Sequence, residues 1–510
     1  MRKRSIFIIT ALLTLSISLN TLLADVIRIG YTQDAKNLDP ANHRSRITEG
    51  IIRNMYDGIM ARDSKMNLWP ELAESFKQLN DTTYEAKLRK GVKFHDGTEM
   101  TAEDVKFTFD RLTKENAMDG QTSPRKSLLG PLMETTIANK YTVRFKLKNA
   151  WPVFPRYLPF QEIVSKSFVE RVRTDGLATQ VNGTGPFKLV EWRKGDSIIM
   201  ERFEGYYGGA TGIPPVGGAK VDRVIFKIIP DSSARVAALL AGQVDLINEL
   251  PVHAMKRVEK NPNTKVLKTL GTRSFFIILN NTQPPFDNVL VRRAANLSIN
   301  RKLIIDKLMN GLAVPLNGIL SPQSFGFNNN LPELKYDLDQ AKELMHQAGY
   351  SNGVDVILDS EAQFKDISEA LASQLSKVGI RAKVQIGERN TIRADWVPKK
   401  EKKRDMYFSS WGSGALDPAG IFVPNLKTNA RGNRSGYSNL VVDHSFTKAD
   451  AEPNQEKRAE HFRQAQDIVA KDLPLLFLWL PQDIYGASKR LKGWEPSGRG
   501  IIKLHDAYLQ

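Results

Sequence analysis

The chain of 510 residues contains no cysteine. Disulfides, thiolate-ligated metals and a cysteine nucleophile are therefore excluded. The seven histidines are scattered along the sequence without the spacing of a metal site. With 41% hydrophobic and 25% charged residues, the chain can nevertheless bury sizeable cores, and its length allows two or three domains.

Recognisable catalytic motifs are missing as well. The sequence has no His-Glu-x-x-His, no Walker-type phosphate loop and no Gly-x-Ser-x-Gly elbow. Gly205 to Gly218 is rich in glycine, but its Tyr206-Tyr207 and Pro214-Pro215 pairs interrupt any strand-turn-helix phosphate cradle. The paired carboxylates Glu103 and Asp104 fall on the exposed first turn of a predicted helix. We therefore predict that the protein is not an enzyme and has no metal or other cofactor.

Acidic residues are in the minority, since 73 Lys and Arg stand against 56 Asp and Glu and the formal net charge is +17. Such an excess of positive charge is typical of proteins that bind nucleic acid, an anionic membrane or an anionic ligand, and it also occurs simply on a solvated surface. The most basic run, Lys399 to Arg404, contains Glu401 and lies in a predicted loop without a helix-turn-helix, finger or RNA-binding signature. We interpret the excess as solvated surface and predict no nucleic-acid partner.

The N-terminus has the order of an export signal. Three basic residues at positions 2 to 4 precede the mostly apolar segment Ile6 to Leu23, which is short for a spanning helix, and Ala24 is suited to be the last residue before cleavage. Because Leu22 stands where a small residue is usual, an uncleaved anchor is the alternative. We predict that residues 1–24 are a signal peptide and that the mature chain begins near Asp25. No later segment is long and apolar enough to span a bilayer.

The stretch Tyr84 to Leu112 has a specific order of strand, turn and helix. Apolar and polar residues alternate from Tyr84 and continue to Phe94, which is the pattern of a half-buried strand. Asp96-Gly97 marks a turn, and Thr101 followed three residues later by an acid is typical of a capped helix start. Later in the chain, helical patterns alternate with short strand patterns, so we predict an α/β fold.

Taken as a string, this stretch closely resembles family 5 of the bacterial extracellular solute-binding proteins, which serve dipeptide, oligopeptide and nickel importers. The resemblance continues in order along nearly the whole mature chain, in Asn37 to Pro40, Gly183 to Phe187, Ala237 to Leu246, Phe286 to Ala295 and Tyr336 to Tyr350. Six ordered blocks are hard to obtain by chance. Without cysteine the chain lacks the lipidated residue that tethers many Gram-positive members, so the resemblance implies a free periplasmic protein of a Gram-negative cell.

The family implies a two-lobed periplasmic binding fold. Lobe I would comprise residues 25–272 and 482–510, with an additional subdomain inserted at roughly 60–200, and lobe II would comprise residues 273–481. A hinge of two crossover strands would join the lobes near Thr272 to Asn280 and Leu475 to Tyr485, where the sequence has apolar runs suited to buried strands. A ligand in the cleft would close the lobes about this hinge.

Two segments are candidates for lining the cleft. Ser409 to Gly420 places a glycine-rich turn after an apolar strand end, so that its backbone can approach a ligand closely and Trp411 can offer a flat apolar wall, unless that ring is ordinary core. The second segment is the loop after the first strand, which faces the cleft in the family. The predicted ligand-binding residues are Asp34, Ala35, Asn37, Trp411, Gly412, Ser413 and Asp417.

One position departs from the peptide-binding relatives. These carry an aspartate three residues after the tryptophan, and it pairs with the α-ammonium group of the peptide. Gly414 stands there in this chain, and Asp417 is displaced. Because a buried ammonium needs a counter-charge, ordinary dipeptides would require Asp417, Asp34 or another carboxylate.

These observations predict the periplasmic solute-binding component of an ABC importer. It would capture a peptide or peptide-like solute as a monomer and deliver it to the permease subunits with their ATPases. Opines, glutathione-like peptides and other amino-acid conjugates are the alternative ligands. An exported enzyme acting on such solutes, or a chaperone-like surface role, is the more distant alternative.

Overall fold

The computed structural model describes residues 25–63, 66–213, 216–396 and 404–510. The predicted signal peptide and most of the basic run Lys399 to Arg404 lie outside the described residues. Within these four ranges, no helix is both long enough and apolar enough to cross a bilayer.

The described residues form twenty β-strands and fourteen α-helices. The strands are β1 (Val26–Tyr31), β2 (Met60–Arg62), β3 (Leu68–Pro70), β4 (Ala73–Asn80), β5 (Thr83–Leu88), β6 (Leu132–Asn139), β7 (Thr142–Leu147), β8 (Phe187–Arg193), β9 (Ser197–Arg202), β10 (Arg223–Ile228), β11 (Leu246–Ile247), β12 (Thr264–Leu270), β13 (Arg273–Leu279), β14 (Ala313–Pro315), β15 (Val354–Ser360), β16 (Ile380–Ile386), β17 (Met406–Gly412), β18 (Leu475–Ser488), β19 (Leu491–Lys492) and β20 (Tyr508–Leu509). The helices are α1 (Arg46–Ile52), α2 (Ala102–Thr113), α3 (Phe154–Tyr157), α4 (Lys166–Leu177), α5 (Ser232–Leu240), α6 (Met255–Lys260), α7 (Val289–Leu297), α8 (Arg301–Leu308), α9 (Leu338–Gln347), α10 (Lys365–Ser376), α11 (Arg389–Asp395), α12 (Phe422–Leu426), α13 (Leu440–Ala451) and α14 (Gln455–Asp472).

A mixed sheet of twelve strands runs through the described chain. Its order is β16-β15-β17-β13-β18-β11-β1-β10-β9-β8, and β12 and β14 also pair with β18. Strand β1 is parallel to β10 and β11, and β15 is parallel to β16 and β17, with helices between these strands in the sequence. The predicted α/β class is confirmed.

The long strand β18 lies in the middle of this sheet and connects its two halves. Its first residues pair with β13, whereas Gln482 to Ser488 pair with β12. The change of partner occurs where Gly271 donates its amide hydrogen to the Pro481 carbonyl at 2.9 Å. Separate apolar cores lie on either side of this point. We propose that the lobes meet here, with lobe I at 25–272 plus 482–510 and lobe II at 273–481.

The inserted subdomain has its own four-stranded antiparallel sheet, with order β4-β5-β7-β6, covered by α2. The structure confirms the predicted order of strand, turn and capped helix in Tyr84 to Leu112, although β5 ends at Leu88. Thr101 donates its amide hydrogen to the Asp104 carboxylate at 2.9 Å, which closes a capping box. The expectation that Asp104 is exposed is wrong, because this capping carboxylate is buried.

We propose that the insertion is shorter than its rough predicted range of 60–200. Its separate core runs from Ile59 to Ile163, together with Ala41. Helix α4 packs into the lobe I core instead, and β8 and β9 hydrogen-bond into the large sheet through β10. We therefore place the end of the insertion near Ile163, since the following segments bury their apolar side chains in lobe I.

Candidate functional site

The segment from Trp411 to Asp417 begins at the end of β17, directly beside β13 in the middle of the sheet. Trp411 lies opposite Ser274 of β13, and the Ser413 amide donates to the Thr272 carbonyl at 3.3 Å. The half-buried Trp411 ring donates through Nε1 to the Gly420 carbonyl at 2.9 Å, and the guanidinium of Arg431 lies 5.2 Å from its centre. One edge of the ring is thus held by the backbone.

Asp417 is fully buried and is already paired with a cation. Its two carboxylate oxygens accept hydrogen bonds from Nη1 and Nη2 of Arg458, each at 2.8 Å. The Ala419 amide donates to Oδ1 at 3.0 Å, and Nε of Arg156 lies 3.4 Å from Oδ2. In this conformation, Asp417 therefore has no unpaired charge to offer an α-ammonium group.

The inserted subdomain approaches lobe II at Gly414. A Cβ atom placed on Gly414 would lie 3.2 Å from two atoms of the Phe160 ring, so any side chain there requires the ring to shift. Arg62 donates from Nη2 to the Ala415 carbonyl at 2.9 Å. Gly414, where the family resemblance predicts an ammonium partner in peptide-binding proteins, is here a contact between the subdomain and lobe II.

The predicted residues of the first loop are tied to lobe I. Asp34 accepts hydrogen bonds from the Trp192 ring nitrogen at 3.0 and 3.1 Å and from the Gly195 amide at 2.7 Å. Ala35 is buried, and the Asn37 side-chain amide donates to the Asn42 carbonyl at 2.9 Å. These contacts hold the shape of the loop within lobe I.

A cavity of about 880 Å³ lies between the β2–β3 hairpin, residues 210–213 and the C-terminal tail from Leu491 to Tyr508. Its volume is within the usual range of small-molecule sites, about 300–1,000 Å³. The cations in its wall are Arg53, Arg62, Lys220, Lys265, Lys492, Arg499 and Lys503, and the acids are Asp63, Glu71, Glu495 and Asp506. None of the seven predicted ligand-binding residues lines this cavity.

Beside the cavity, eight charged side chains from three parts of the chain form a largely buried charge network. Four are acids and four are bases, and they come from α1 and the residues after it, from the inserted subdomain and from the C-terminal tail. The members of this charge network are Glu49, Arg53, Asp57, Glu71, Arg125, Glu162, Arg499 and Lys503.

The contacts in the charge network are close enough to balance most of its charges. Arg53 lies 2.9 Å from Glu162, and Lys503 lies 2.7 Å from Glu71. Arg125 bridges Glu49 of α1 and Glu162 of the subdomain, the latter at 2.9 Å. Since a buried charge is tolerated only with a partner, the network fixes the subdomain and the tail against α1.

Two acids of the network have strongly raised pKa values. Burial, together with the negative charge of Glu71, raises the pKa of Asp57 to about 7. Burial and Glu49 raise the pKa of Glu162 to about 7. For Glu49 burial acts in the same direction, but the guanidinium groups of Arg125, Arg499 and Arg53 outweigh it and hold the pKa below its usual range.

Comparison with known proteins identifies the family. The model of the bacterial extracellular solute-binding proteins, family 5 Middle, matches residues 67–433. The chain belongs to this family. The resemblance predicted from the ordered sequence blocks is confirmed.

Similar proteins agree with this membership. The glutathione-binding protein GsiB of Escherichia coli strain K12 is 28% identical over 488 residues, which cover 93% of this chain and 92% of GsiB. The ABC transporter-associated periplasmic binding protein DppA from Helicobacter pylori, solved with the peptide STSA, is 27% identical with a TM-score of 0.74, covering 95% of this chain and 98% of that one. HbpA2 from Haemophilus parasuis is 23% identical and shares the fold, with a TM-score of 0.88 and coverage of 95% and 100%.

In this family 5 protein, the predicted site residues fall into two groups. Trp411, Gly412, Ser413 and Asp417 follow one another at and after the end of β17, where Asp417 meets Arg156 of the subdomain. Asp34, Ala35 and Asn37 lie in the loop after β1, where Asp34 is bonded to the β8–β9 hairpin. Three further residues, Arg62, Arg156 and Phe160, approach Gly414, Ala415 and Asp417 from the subdomain and were not among the predicted site residues. No local pattern marks these three, since they become neighbours of lobe II only when the insertion folds back.

If Trp411 lines the cleft as predicted, its replacement by alanine is expected to weaken solute binding by about 1–3 kcal/mol through the loss of an apolar contact. Calorimetry with a solute that the protein binds measures the effect, and circular dichroism checks the fold. An unfolded variant would show that the ring is core, and an unchanged affinity in a folded variant would remove Trp411 from the site.

The raised pKa of Asp57 predicts a dependence of stability on pH. Between about pH 4 and pH 7 the folded protein keeps a proton on Asp57 that the unfolded chain loses, so this group lowers the free energy of unfolding as the pH rises. Asp57→Asn removes this pH-dependent contribution. As the pH increases from about 4 to 7, we expect the free energy of unfolding of the variant to increase relative to that of the parent by at most about 4 kcal/mol. Urea unfolding at several pH values tests this, with the exposed Glu103→Gln as control. Parallel pH profiles for Asp57→Asn and the parent would contradict it.

Proposed function

We propose that this family 5 protein is the periplasmic component of an ABC importer and captures a peptide-like amino-acid conjugate that is rich in acid groups. Glutathione-type γ-linked peptides and opine-type conjugates belong to this class. Support comes from the family membership and from the similarity to GsiB, which is named for binding glutathione. The captured solute would pass to permease subunits with their ATPases, and the mature monomer would begin near Asp25 after cleavage of the signal peptide.

The observation that carries the choice of ligand is the state of Asp417. Its carboxylate is buried and bound twice by Arg458, while Gly414 has no side chain and faces Phe160. The α-ammonium group of an ordinary dipeptide, desolvated beside this segment, would find no free counter-charge there, and an unpaired buried charge costs several kcal/mol, roughly enough to abolish useful affinity. In a γ-linked peptide the α-ammonium keeps the α-carboxylate of the same residue beside it.

The charges that approach the same segment are positive. Arg62 contacts the Ala415 carbonyl, and Arg156 lies within 3.4 Å of the already paired Asp417. Arginine is the side chain best suited to bind carboxylates, because its planar donors match the two oxygens. Acid groups of a solute therefore suit this contact better than an ammonium group does.

Calorimetry with two matched sets of solutes tests the proposal. One set contains neutral dipeptides such as Ala-Ala and Met-Leu, and the other contains glutathione, its γ-linked dipeptide fragment and an opine-type conjugate. We expect the second set to bind at least tenfold more tightly, which corresponds to about 1.4 kcal/mol. Submicromolar binding of several neutral dipeptides would overturn the preference for acid-rich conjugates, and mutation of Asp34 and Asp417 would then show which acid binds the amine.

The location and the processing are tested separately. N-terminal sequencing of protein recovered from the periplasmic fraction should find a first residue near Asp25. Retention of Met1 in exported protein would contradict cleavage.

A further inference from the structure

Arg62 occupies an unusual position at the end of β2. It lines the cavity and also reaches lobe II, because Nη2 donates to the Ala415 carbonyl at 2.9 Å and Nη1 donates to the Met66 carbonyl at 2.8 Å. Its Nε is buried and has no hydrogen-bond acceptor among the described residues. The described part of the chain also places no carboxylate oxygen within the 4.0 Å of an ion pair with Arg62.

The buried Arg301 shows that burial of an arginine does not by itself leave its Nε without a hydrogen-bond acceptor. Arg301 has no carboxylate within ion-pair distance in the described ranges either, but its Nε donates to the Phe477 carbonyl at 2.7 Å and its Nη2 donates to the Asn296 side chain at 3.1 Å. Arg301 is therefore satisfied by its surroundings. Arg62 keeps one donor that its surroundings do not satisfy; the buried Arg235 does so too, but Arg62 differs from it in lining the cavity.

The environment of Arg62 is unfavourable for its positive charge. Burial and the neighbouring cations Arg499 and Arg156 lower the pKa of Arg62 to about 9, and the opposing charges of Asp417 and Asp63 do not offset them. A buried guanidinium without a carboxylate is costly, and an anion that enters the cavity would relieve this cost.

Other cations of the cavity wall share this lack of an acidic partner. Lys220 lies 4.9 Å from the centre of the Tyr508 ring, and Lys265 donates to the Leu491 carbonyl at 2.9 Å. Within the described residues, neither lysine has a carboxylate at ion-pair distance, and the same is true of Lys492. By contrast, Arg53, Arg499 and Lys503 are balanced by the charge network.

Not all of the acids in the wall are available to these cations. Glu71 is paired with Lys503, and Asp63 accepts hydrogen bonds from Asn67 and from the Trp69 ring nitrogen at 3.1 Å. Asp506 lies 3.4 Å from His505, but burial lowers the pKa of His505 to about 4, so Asp506 partly balances Lys503 and Lys220 instead; Glu495 is exposed. The cationic side of the cavity is therefore only partly balanced from within the protein.

We propose that this cavity binds an acid group, a carboxylate or a comparable oxyanion, and that Arg62 is its principal counter-charge. The site is separate from the predicted cleft residues, none of which lines the cavity. The acid group belongs either to the captured solute or to an independent small anion. Because Arg62 also holds the Ala415 carbonyl, occupancy of this site is coupled to the contact between the subdomain and lobe II.

Calorimetry at constant ionic strength with four probes tests the site. The probes are glutarate, inorganic phosphate, glutathione and glutathione diethyl ester, in which both carboxylates are blocked. We expect at least one probe with a free acid group to bind, and Arg62→Gln to weaken that binding roughly 10- to 100-fold, the usual effect of a lost charge-assisted pair. The exposed Arg463→Gln is the control and should leave the affinity unchanged.

The probes also distinguish the source of the acid group. Binding of glutarate or phosphate alone would indicate an independent anion, whereas binding of glutathione but of neither small anion nor the diester would assign the site to the acid end of the solute. Failure of all four probes to bind the parent protein would overturn the proposal. The proposal would be overturned as well if Arg62→Gln left the affinity of every probe that binds unchanged, while tight glutathione binding in that case would leave the proposed function standing.

If Arg62→Gln fails to fold, two further measurements decide the question. Arg62→Lys keeps the charge but loses the planar donors, and we expect it to weaken binding severalfold. A crystal structure of the parent protein with the bound probe should place the acid group within hydrogen-bonding distance of Arg62. An acid group seated elsewhere in the chain would overturn the proposal.

Discussion

Replacing Arg458 by methionine is expected to lower the free energy of unfolding by about 3–5 kcal/mol, because the substitution leaves the carboxylate of Asp417 buried with most of its counter-charge removed. Both side chains are completely buried, and the pair makes two hydrogen bonds of 2.8 Å. Arg156, at 3.4 Å, is the remaining cation near Asp417. Urea unfolding followed by circular dichroism measures the effect.

A matched control lies on the same helix. Arg463 of α14 forms an exposed ion pair with Glu456, and Arg463→Met should change the stability by less than about 1 kcal/mol. The double variant Arg458→Met with Asp417→Asn should regain part of the loss, since the uncompensated charge is removed. If Arg458→Met costs no more than the control, Asp417 is not held as described and becomes available to a ligand.

Replacing Arg125 by methionine is expected to cost a similar amount, about 3–5 kcal/mol, because this residue joins the inserted subdomain to α1 and the segment before it through buried groups. It pairs with Glu49 of α1 and with Glu162 of the subdomain at 2.9 Å, and it donates from Nε to the His43 carbonyl at 2.9 Å. Its removal leaves Glu162 dependent on Arg53 and Glu49 dependent on Arg53 and Arg499.

The control for this variant comes from the same subdomain. Arg144 forms an exposed pair with Glu85 across β7 and β5, and Arg144→Met should cost less than about 1 kcal/mol. Unfolding by urea compares the two variants under identical conditions. Equal losses of the free energy of unfolding in the two variants would show that Arg125 stabilises the protein no more than an exposed ion pair does.

The charge network and the contacts around Asp417 suggest how the protein closes. The charge network joins the subdomain to α1 and to the C-terminal tail, both parts of lobe I. The subdomain meets lobe II through fewer polar contacts, chiefly Arg62 with Ala415 and Arg156 with Asp417. We therefore expect the subdomain to move with lobe I as one body, while lobe II moves about the β13 and β18 strands.

Much of the fold could be predicted from the sequence because it depends on local patterns. The alternation in β5, the capping pair of Thr101 and Asp104, and the apolar runs of β13 and β18 each lie within a short stretch and each correspond to the structure. The order of the family blocks then implied the α/β, two-lobed architecture. Trp411 at the end of a buried strand could also be located in this way.

The candidate site could be predicted only in part, because the state of a charged residue depends on which partner the fold brings to it. Asp417 looked like a free acid in the sequence, but its partner Arg458 lies 41 positions away. The partner of Glu71 is Lys503, which is 432 positions away and returns to lobe I only through β18.

The sequence by itself thus determined the secondary structure, the fold class and the family, since hydrophobic periodicity and caps act between near neighbours. The tertiary structure alone decided which charges are paired, which are buried and which line the cavity. Arg62 and Asp417 differ little in sequence context from many exposed residues, and only the tertiary structure brings Arg62 to the Ala415 carbonyl and buries Asp417 against Arg458. The physical reason is that desolvation and charge pairing depend on distances in space, which local sequence does not encode.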